Sequence, residues 1–278
     1  MIIGPLFAVS ARGAATVARP AGVPIIAFSS DATVAARGVH LFGFLPEGDA
    51  ERITGFAASR GKRSLAALLP DTSYGAVFGG TLQRAASAGG ATVVAIARYG
   101  DDAASLGQKT AEIAALAHSG RVSVVTVPAG DDAPLRLGAA LGASGRPDVQ
   151  LLGSGQWNDA RFLAAPQLSG GWFPAPESSG FTAFAARYQA AFGAAPPRPA
   201  ALAFDATRLA AGLAARFGDR RFALETLTNP DGFTGVDGAF RLLPNGLNQR
   251  SLAIYEISDG SARLIDPAPR SFPAQSAF

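Results

Sequence analysis

Residues 64–97 read SLAALLP-DTSYGAVFGGTLQRAASAGG-ATVVAIA, and their three segments decide the fold class. Ser64–Leu69 is a short apolar run without strict alternation, as expected of a strand covered on both faces. Tyr74–Ala88 carries a helical pattern and is closed by Gly89-Gly90, a helix-stop signal. Thr92–Ala97 is again strand-like and rich in β-branched residues. Strand, helix, strand in that order argues for parallel pairing with a crossover helix.

The same rhythm extends in both directions. Towards the start, Ile2–Phe7, Val23–Phe28 and Val39–Phe44 read as strands; Ser10–Arg19 reads as a helix ended by Pro20 and Gly22, and Glu47–Arg60 as a second helix. Towards the end, strands are expected at Val122–Val127 and Val149–Leu152, and helices at Ala103–His118 and Pro134–Leu141. After Gly153 the style changes. Phe181, Phe184, Ala185, Tyr188 and Phe192 mark an amphipathic helix, Pro196, Pro197 and Pro199 break it, and Ala201–Phe217 is another. The remainder turns to β signals: Asp237–Leu243 and Ser251–Ile257 flank Pro244-Asn245-Gly246 as a hairpin, and Asp259-Gly260 turns the chain into Ala262–Ile265. From Pro267 onward, with Pro269 and Pro273, the pattern is that of a fraying tail. The expected class is α/β with parallel sheets.

Composition narrows the function. The 278 residues suggest about two domains. Hydrophobic residues make up 48% and charged residues 16%, enough apolar material for large cores and too little charge for disorder. Net charge is +3, and the 24 basic residues are scattered rather than gathered into a stripe, which argues against a nucleic-acid partner. With no cysteine, the chain can form neither disulfides nor zinc–thiolate sites. No apolar run of membrane-spanning length occurs, and Met1-Ile2-Ile3-Gly4-Pro5 lacks the basic start of a signal peptide.

Enzyme signatures are missing. The two histidines, His40 and His118, read as structural or surface residues. There is no Gly-x-Ser-x-Gly elbow, and Gly55–Ser64 misses the phosphate-loop spacing by one residue. Carboxylates at strand ends, Asp71, Asp101, Asp102 and Asp159, read chiefly as helix caps. No cofactor and no metal are called for. What stands out is the content of four strand-to-helix loops, at residues 4–10, 28–33, 70–75 and 153–159, because ligands of open parallel sheets sit at the carboxyl ends of strands. Hydroxyls and free N–H groups there suit a carboxylate, and Tyr74 and Trp157 could cover an apolar or cationic part.

These loops also carry a resemblance. Ile-Gly-Pro-Leu (3–6), Val-Pro-Ile-Ile-Ala-Phe-Ser-Ser (23–30), Leu-Pro-Asp-Thr-Ser-Tyr-Gly (69–75) and Arg98-Tyr99 resemble the Leu/Ile/Val-binding family of type I periplasmic binding proteins. Leu151–Asp159, Trp172-Phe173, Phe204-Asp205-Ala206, Asn229–Gly238 and Asn245-Gly246 resemble a branch described as penicillin-binding protein activators. The resemblance runs over nearly the whole chain. It implies two Rossmann-like lobes with a small-molecule ligand in the cleft, one lobe holding residues 1–62 and 178–232, the other 63–177 and 233–278. It implies a ligand carboxylate held by Ser10 and by Ser29 or Ser30, with Thr33 as the alternative register, and an opposing face of Tyr74, Gln156 and Trp157. Asp159 is the candidate partner for a ligand ammonium, and Ala8 stands where related sequences often carry a hydroxyl. It further implies a periplasmic location, an ABC permease or alternatively a cell-wall synthase as partner, no catalysis, and two βα units with a signal sequence or lipid-bearing cysteine ahead of Ile2. The first lobe is therefore expected to be incomplete at its N-terminus.

Overall fold

A computed structural model describes residues 1–143, 145 and 148–272, and in it the chain divides into two compact units. Unit 1 opens with β1 (Ile2–Ile3), α1 (Ala8–Ala18), β2 (Ile25–Ala27) and β3 (Val39–Leu41). Unit 2 follows from Pro46 to Ala175 with α2 (Pro46–Ser59), β4 (Ser64–Pro70), α3 (Ser73–Ala88), β5 (Thr92–Tyr99), α4 (Ala103–His118), β6 (Val124–Thr126), α5 (Ala133–Ala143), β7 (Gln150–Leu152), α6 (Ala160–Leu163) and β8 (Trp172–Ala175). The chain re-enters unit 1 with α7 (Ser178–Phe192), α8 (Ala200–Phe217), α9 (Leu224–Leu227), β9 (Phe233–Gly235), β10 (Gly238–Leu242) and β11 (Asn248–Arg250). It returns to unit 2 for β12 (Ala253–Ser258) and β13 (Ser261–Asp266).

Unit 2 is built on a seven-stranded sheet of order β13-β12-β8-β7-β6-β4-β5. β8, β7, β6, β4 and β5 run parallel; β12 and β13 add antiparallel at one edge. The non-alternating run at β4 has its five central residues buried, as a strand covered on both faces requires. Small residues set the helix spacing. A Cβ on Gly89 would lie 2.8 Å from the Ala58 Cβ, so α3 and α2 touch nearly backbone to backbone. A Cβ on Gly75 would come within 2.0 Å of the Pro70 carbonyl oxygen, so only glycine lets α3 start directly on the end of β4. The Thr72 hydroxyl caps that start by accepting from the Gly75 N–H at 3.3 Å. Between α2, α3 and β4, the residues Ile53, Phe56, Leu65, Leu69, Phe78 and Leu82 form the core, with Phe56 edge-on to Trp172 at 5.1 Å.

Unit 1 holds a parallel sheet of order β1-β2-β3 and an antiparallel sheet of order β11-β10-β9. Period two decides which side each strand residue serves: Ile25, Ala27, Val39 and Leu41 pack with Ala11 and Ala18 of α1, whereas Ile26 and Phe42 pack with Leu202, Ala206, Leu209 and Leu213 of α8. Phe42 meets Phe240 of β10 edge-on at 4.7 Å.

Several expectations are adjusted. The boundary expected at residue 62 falls at Leu45, because α2 buries Ala50, Ile53, Phe56 and Ala57 in the core of unit 2. The boundary expected at residue 232 falls at Ser251, because β9, β10 and β11 form their own sheet in unit 1. The strand expected over Ile2–Phe7 is only Ile2–Ile3, and α1 begins at Ala8. The Asn245-Gly246 turn is present, but the strand it returns is β11 rather than Ser251–Ile257; β12 pairs instead with β8 and β13. Gly246, at φ +89°, is pressed against β3, and its carbonyl accepts from the Leu41 N–H at 2.7 Å. Pro273 of the expected tail lies outside the described residues. Among the described residues no helix is long and apolar enough to cross a membrane.

Candidate functional site

In unit 2 the carboxyl ends of β4, β6 and β7 deliver Tyr74, Asp131, Ser154 and Gln156 to one region, and the first turn of α2 adds Asp49. Asp49 is buried, and its carboxylate accepts from the Gly155 N–H at 2.8 Å. Burial pushes its pKa up to about 7, against the lowering effect of the Gly155 hydrogen bond. Gly155 is small for a reason: a Cβ there would sit 3.3 Å from the Asp49 carboxylate and 3.4 Å from the Pro174 carbonyl.

The Tyr74 phenol oxygen is buried beside Asp49, Ser154 and Gln156, yet it makes no hydrogen bond of ordinary geometry with any of them. Burial, reinforced by the Asp49 charge, raises its pKa, so the phenol is a protonated donor at any physiological pH. The Ser154 hydroxyl donates to the Pro128 carbonyl at 3.2 Å and accepts from the Gln156 N–H at 3.3 Å. Gln156 is exposed, and its side-chain oxygen lies over Gly130, where a Cβ would approach to 2.4 Å. At the end of β5, the Tyr99 hydroxyl donates to Asp131 at 2.8 Å, and burial again raises the phenol's pKa. The second Asp131 oxygen accepts from the Ala133 N–H at the start of α5. The cluster therefore combines two carboxylates, two phenols and an exposed side-chain amide, with unfilled hydrogen-bonding capacity at Tyr74.

Unit 1 uses its strand-end hydroxyls differently. Ser29, after β2, is buried and accepts from the Asp31 N–H at 3.1 Å. Asp31 caps the turn Ala32–Val34, accepting from the Thr33 N–H at 2.9 Å and the Thr33 hydroxyl at 2.6 Å. The Thr33 hydroxyl, its backbone N–H and then the Arg12 charge hold Asp31 below its ordinary pKa. Arg12 of α1 donates to Thr33 Oγ1 at 2.9 Å, so Thr33 is already engaged. Ser30 is exposed. Ser10 is exposed in the first turn of α1, two residues inside the helix rather than at its cap.

Of the residues singled out by sequence, Tyr74 and Gln156 come together. Two others are engaged within the fold. Trp157 is wholly enclosed: its ring would overlap a Cβ on Gly153 or Gly171 and lies parallel to Phe162 at 6.5 Å, so it is a core ring and not a ligand-facing one. Asp159 caps α6, accepting from the Arg161 N–H at 2.9 Å, and Asp49 and Asp131 are the carboxylates beside the tyrosines. Asp49 was hidden because a carboxylate in the first turn of a helix after Pro46 has the pattern of a solvated dipole partner.

A parallel sheet with polar groups gathered at its strand ends is the geometry of a small-molecule receptor. The chain belongs to the periplasmic binding protein family, whose model matches residues 1–262. Its fold is similar to that of a Rhodospirillum rubrum protein assigned as a branched-chain amino acid ABC transporter, at 18% identity and TM-score 0.82, covering 95% of this chain and 79% of that one. It is also similar to an ABC transporter substrate-binding protein from Desulfitobacterium hafniense in complex with Leu (17% identity, TM-score 0.70, 95% and 79% covered). A solute-binding protein from R. palustris in complex with benzoate aligns at 19% identity and TM-score 0.66, over 96% and 78% of the two chains. No curated protein matches by sequence. The family is one of periplasmic binding proteins, and two of these relatives are substrate- or solute-binding proteins of ABC transporters.

Proposed function

We propose that the chain is the solute receptor of an ABC-type uptake system, with an ABC permease as its partner and a small polar solute, an amino acid or a related compound, as its ligand. The observation that carries this reading is the buried Tyr74 phenol, which makes no hydrogen bond of ordinary geometry beside Asp49, Ser154 and Gln156. A buried donor without a partner costs about 1–3 kcal/mol, so a ligand that accepts from it recovers that cost on binding. Asp49 and Asp131 favour a ligand with an ammonium or several N–H or O–H donors. Ser29 and Ser30, and less so Ser10 because it stands inside α1, are proposed as carboxylate-binding hydroxyls of unit 1 taken by itself. The named structural relatives include transport receptors and lend no support to the cell-wall synthase alternative.

The test is a thermal-shift and calorimetric screen against aliphatic amino acids, hydroxy acids and aromatic carboxylates. A ligand present at 100 times its Kd adds about 2.7 kcal/mol of stability. Tyr74→Phe removes only the hydroxyl and is expected to weaken the best ligand about tenfold, with no loss of unliganded stability. A folded protein that no compound in the panel stabilises would sink the proposal.

A further inference from the structure

At the amino-terminal ends of β2 and β3, away from the Ser29–Thr33 loop, unit 1 has a concavity of about 590 Å³. Arg19, Arg37 and His40 line it, together with Phe222, Leu224 and Leu227. None of its lining residues is acidic, and among the described residues neither Arg19 nor Arg37 has a carboxylate partner. Both arginines are exposed. His40 is the informative member. It lies on β3 opposite Ile26 and is wholly buried, and among the described residues neither ring nitrogen makes a hydrogen bond of ordinary geometry; the Leu243 backbone acts on the ring as a weak partner, in opposition to burial. A neutral imidazole carries one donor and one acceptor, and burying both without partners is unfavourable unless something else completes them. Burial also holds the ring below its ordinary pKa, so at neutral pH it is the uncharged form that faces the pocket.

We propose that this pocket is a second ligand site, built for a small carboxylate with an apolar tail. Arg19 and Arg37 hold the oxyanion, the imidazole of His40 donates its N–H to it, and Phe222, Leu224 and Leu227 cover the tail. Two positive charges without a balancing acid select an anion. The apolar wall selects a carboxylate that carries hydrocarbon over a bare inorganic ion. The site lies at the other end of the strands from the Ser29–Thr33 loop and does not depend on the uptake proposal.

The experiment is a titration of the full chain with sodium hexanoate, followed by the imidazole resonances. The chain has two histidines, which makes the readout simple. His118, in unit 2 with its ring nitrogens 2.8 and 3.1 Å from the Ala114 and Gly145 carbonyl oxygens, is the internal control. A saturable shift of His40 alone, absent with hexanol and at least tenfold weaker in the Arg19→Gln, Arg37→Gln double variant, is the expected result. Competition by inorganic phosphate supports the oxyanion seat, and a weaker response to phosphate than to hexanoate supports the apolar wall. A His40 resonance that ignores millimolar hexanoate overturns the proposal. So does a shift that hexanol reproduces, or one that survives loss of both arginines.

Discussion

The two units contain the same kind of strand-end loop and use it in opposite ways. In unit 1, the hydroxyls of Ser29 and Thr33 are taken up by Asp31 and Arg12, so the loop after β2 is braced by its own side chains. In unit 2, the Tyr74 phenol reaches the strand ends with hydrogen-bonding capacity to spare, beside the exposed Gln156 amide. A hydroxyl in a strand-to-helix loop is therefore weak evidence for a ligand; what distinguishes a receptor face is a polar group its own chain leaves unanswered. Among the described residues of unit 1, His40 of β3 and Arg250 are such groups. The Arg250 Nε donates to the Gly43 carbonyl at 2.9 Å, while both Nη atoms lack partners and the guanidinium stacks on Phe42 and Phe44. Burial pushes its pKa down to about 10, still charged at neutral pH.

The contrast can be broken first at the backbone. If unit 2 depends on α3 sitting directly on β4, Gly75→Ala must fail, because its Cβ has only a backbone carbonyl 2.0 Å away to displace. The expected loss exceeds about 4 kcal/mol in urea denaturation, near the limit for single substitutions. Gly55→Ala, in the exposed middle of α2 with nothing within 4 Å of the new Cβ, is expected to gain up to about 1 kcal/mol. Equal effects at the two sites would remove the close-packing argument.

The second test separates the units by pH. Asp49 has its folded pKa raised to about 7, against 3.8 for an ordinary aspartate. The native state thus holds a proton that the unfolded chain has released between those values. Its contribution to stability is greatest at the acid end, declines as pH rises from about 4 to about 7, and is fully lost above that. About three pH units of difference correspond to roughly 4 kcal/mol. Asp49→Asn keeps the acceptor for the Gly155 N–H and cannot ionise, so it is expected to be more stable than the parent at pH 8.5 and nearly equal at pH 4.5. Asp31 in unit 1 has its pKa lowered, chiefly by the Thr33 hydroxyl, and has the opposite sign: its contribution is present at neutral pH and is lost in acid. A parent protein whose stability advantage over Asp49→Asn does not change with pH would show that Asp49 titrates normally.

How much of this was legible in the sequence follows from what each residue depends on. The parallel βα order was readable from residues 64–97 because strand runs, helix periodicity and Gly89-Gly90 are local signals. The unit boundary was not, because Glu47–Arg60 has the same helical pattern whichever sheet it covers; only the packing of Ile53 and Phe56 against β4 and α3 decides it. The short strands β8, β9 and β11 escaped for a similar reason: three or four residues such as Asn248–Arg250 carry no periodicity and become strands through their partners. At the candidate site, Tyr74 and Gln156 were singled out from loop position, and the structure brings them side by side. The enclosure of Trp157 was not legible because the two glycines that seat its ring, Gly153 and Gly171, are 18 positions apart. Asp49 was missed because its raised pKa comes from burial, which no neighbour in sequence reports.

The smallest expected effect lies in unit 1 and asks whether its charges are as fully answered as its hydroxyls. Asp237 is wholly buried and is held by Arg198 through a two-pronged contact, 2.9 and 2.5 Å. Arg198 is 42% exposed and stacks on Phe181 at 4.2 Å. Removing one partner of a buried pair leaves an uncompensated charge, which costs about 3–5 kcal/mol when both are buried. Here water reaches the arginine, and Arg250 also draws on Asp237, so Arg198→Ala is expected to cost roughly 2 kcal/mol. Asp237→Asn in the same background should recover most of that loss, because an amide needs no counter-charge. If the double variant stays as unstable as Arg198→Ala, the loss comes from the stacking on Phe181, and the ion pair is not what holds the turn between β9 and β10.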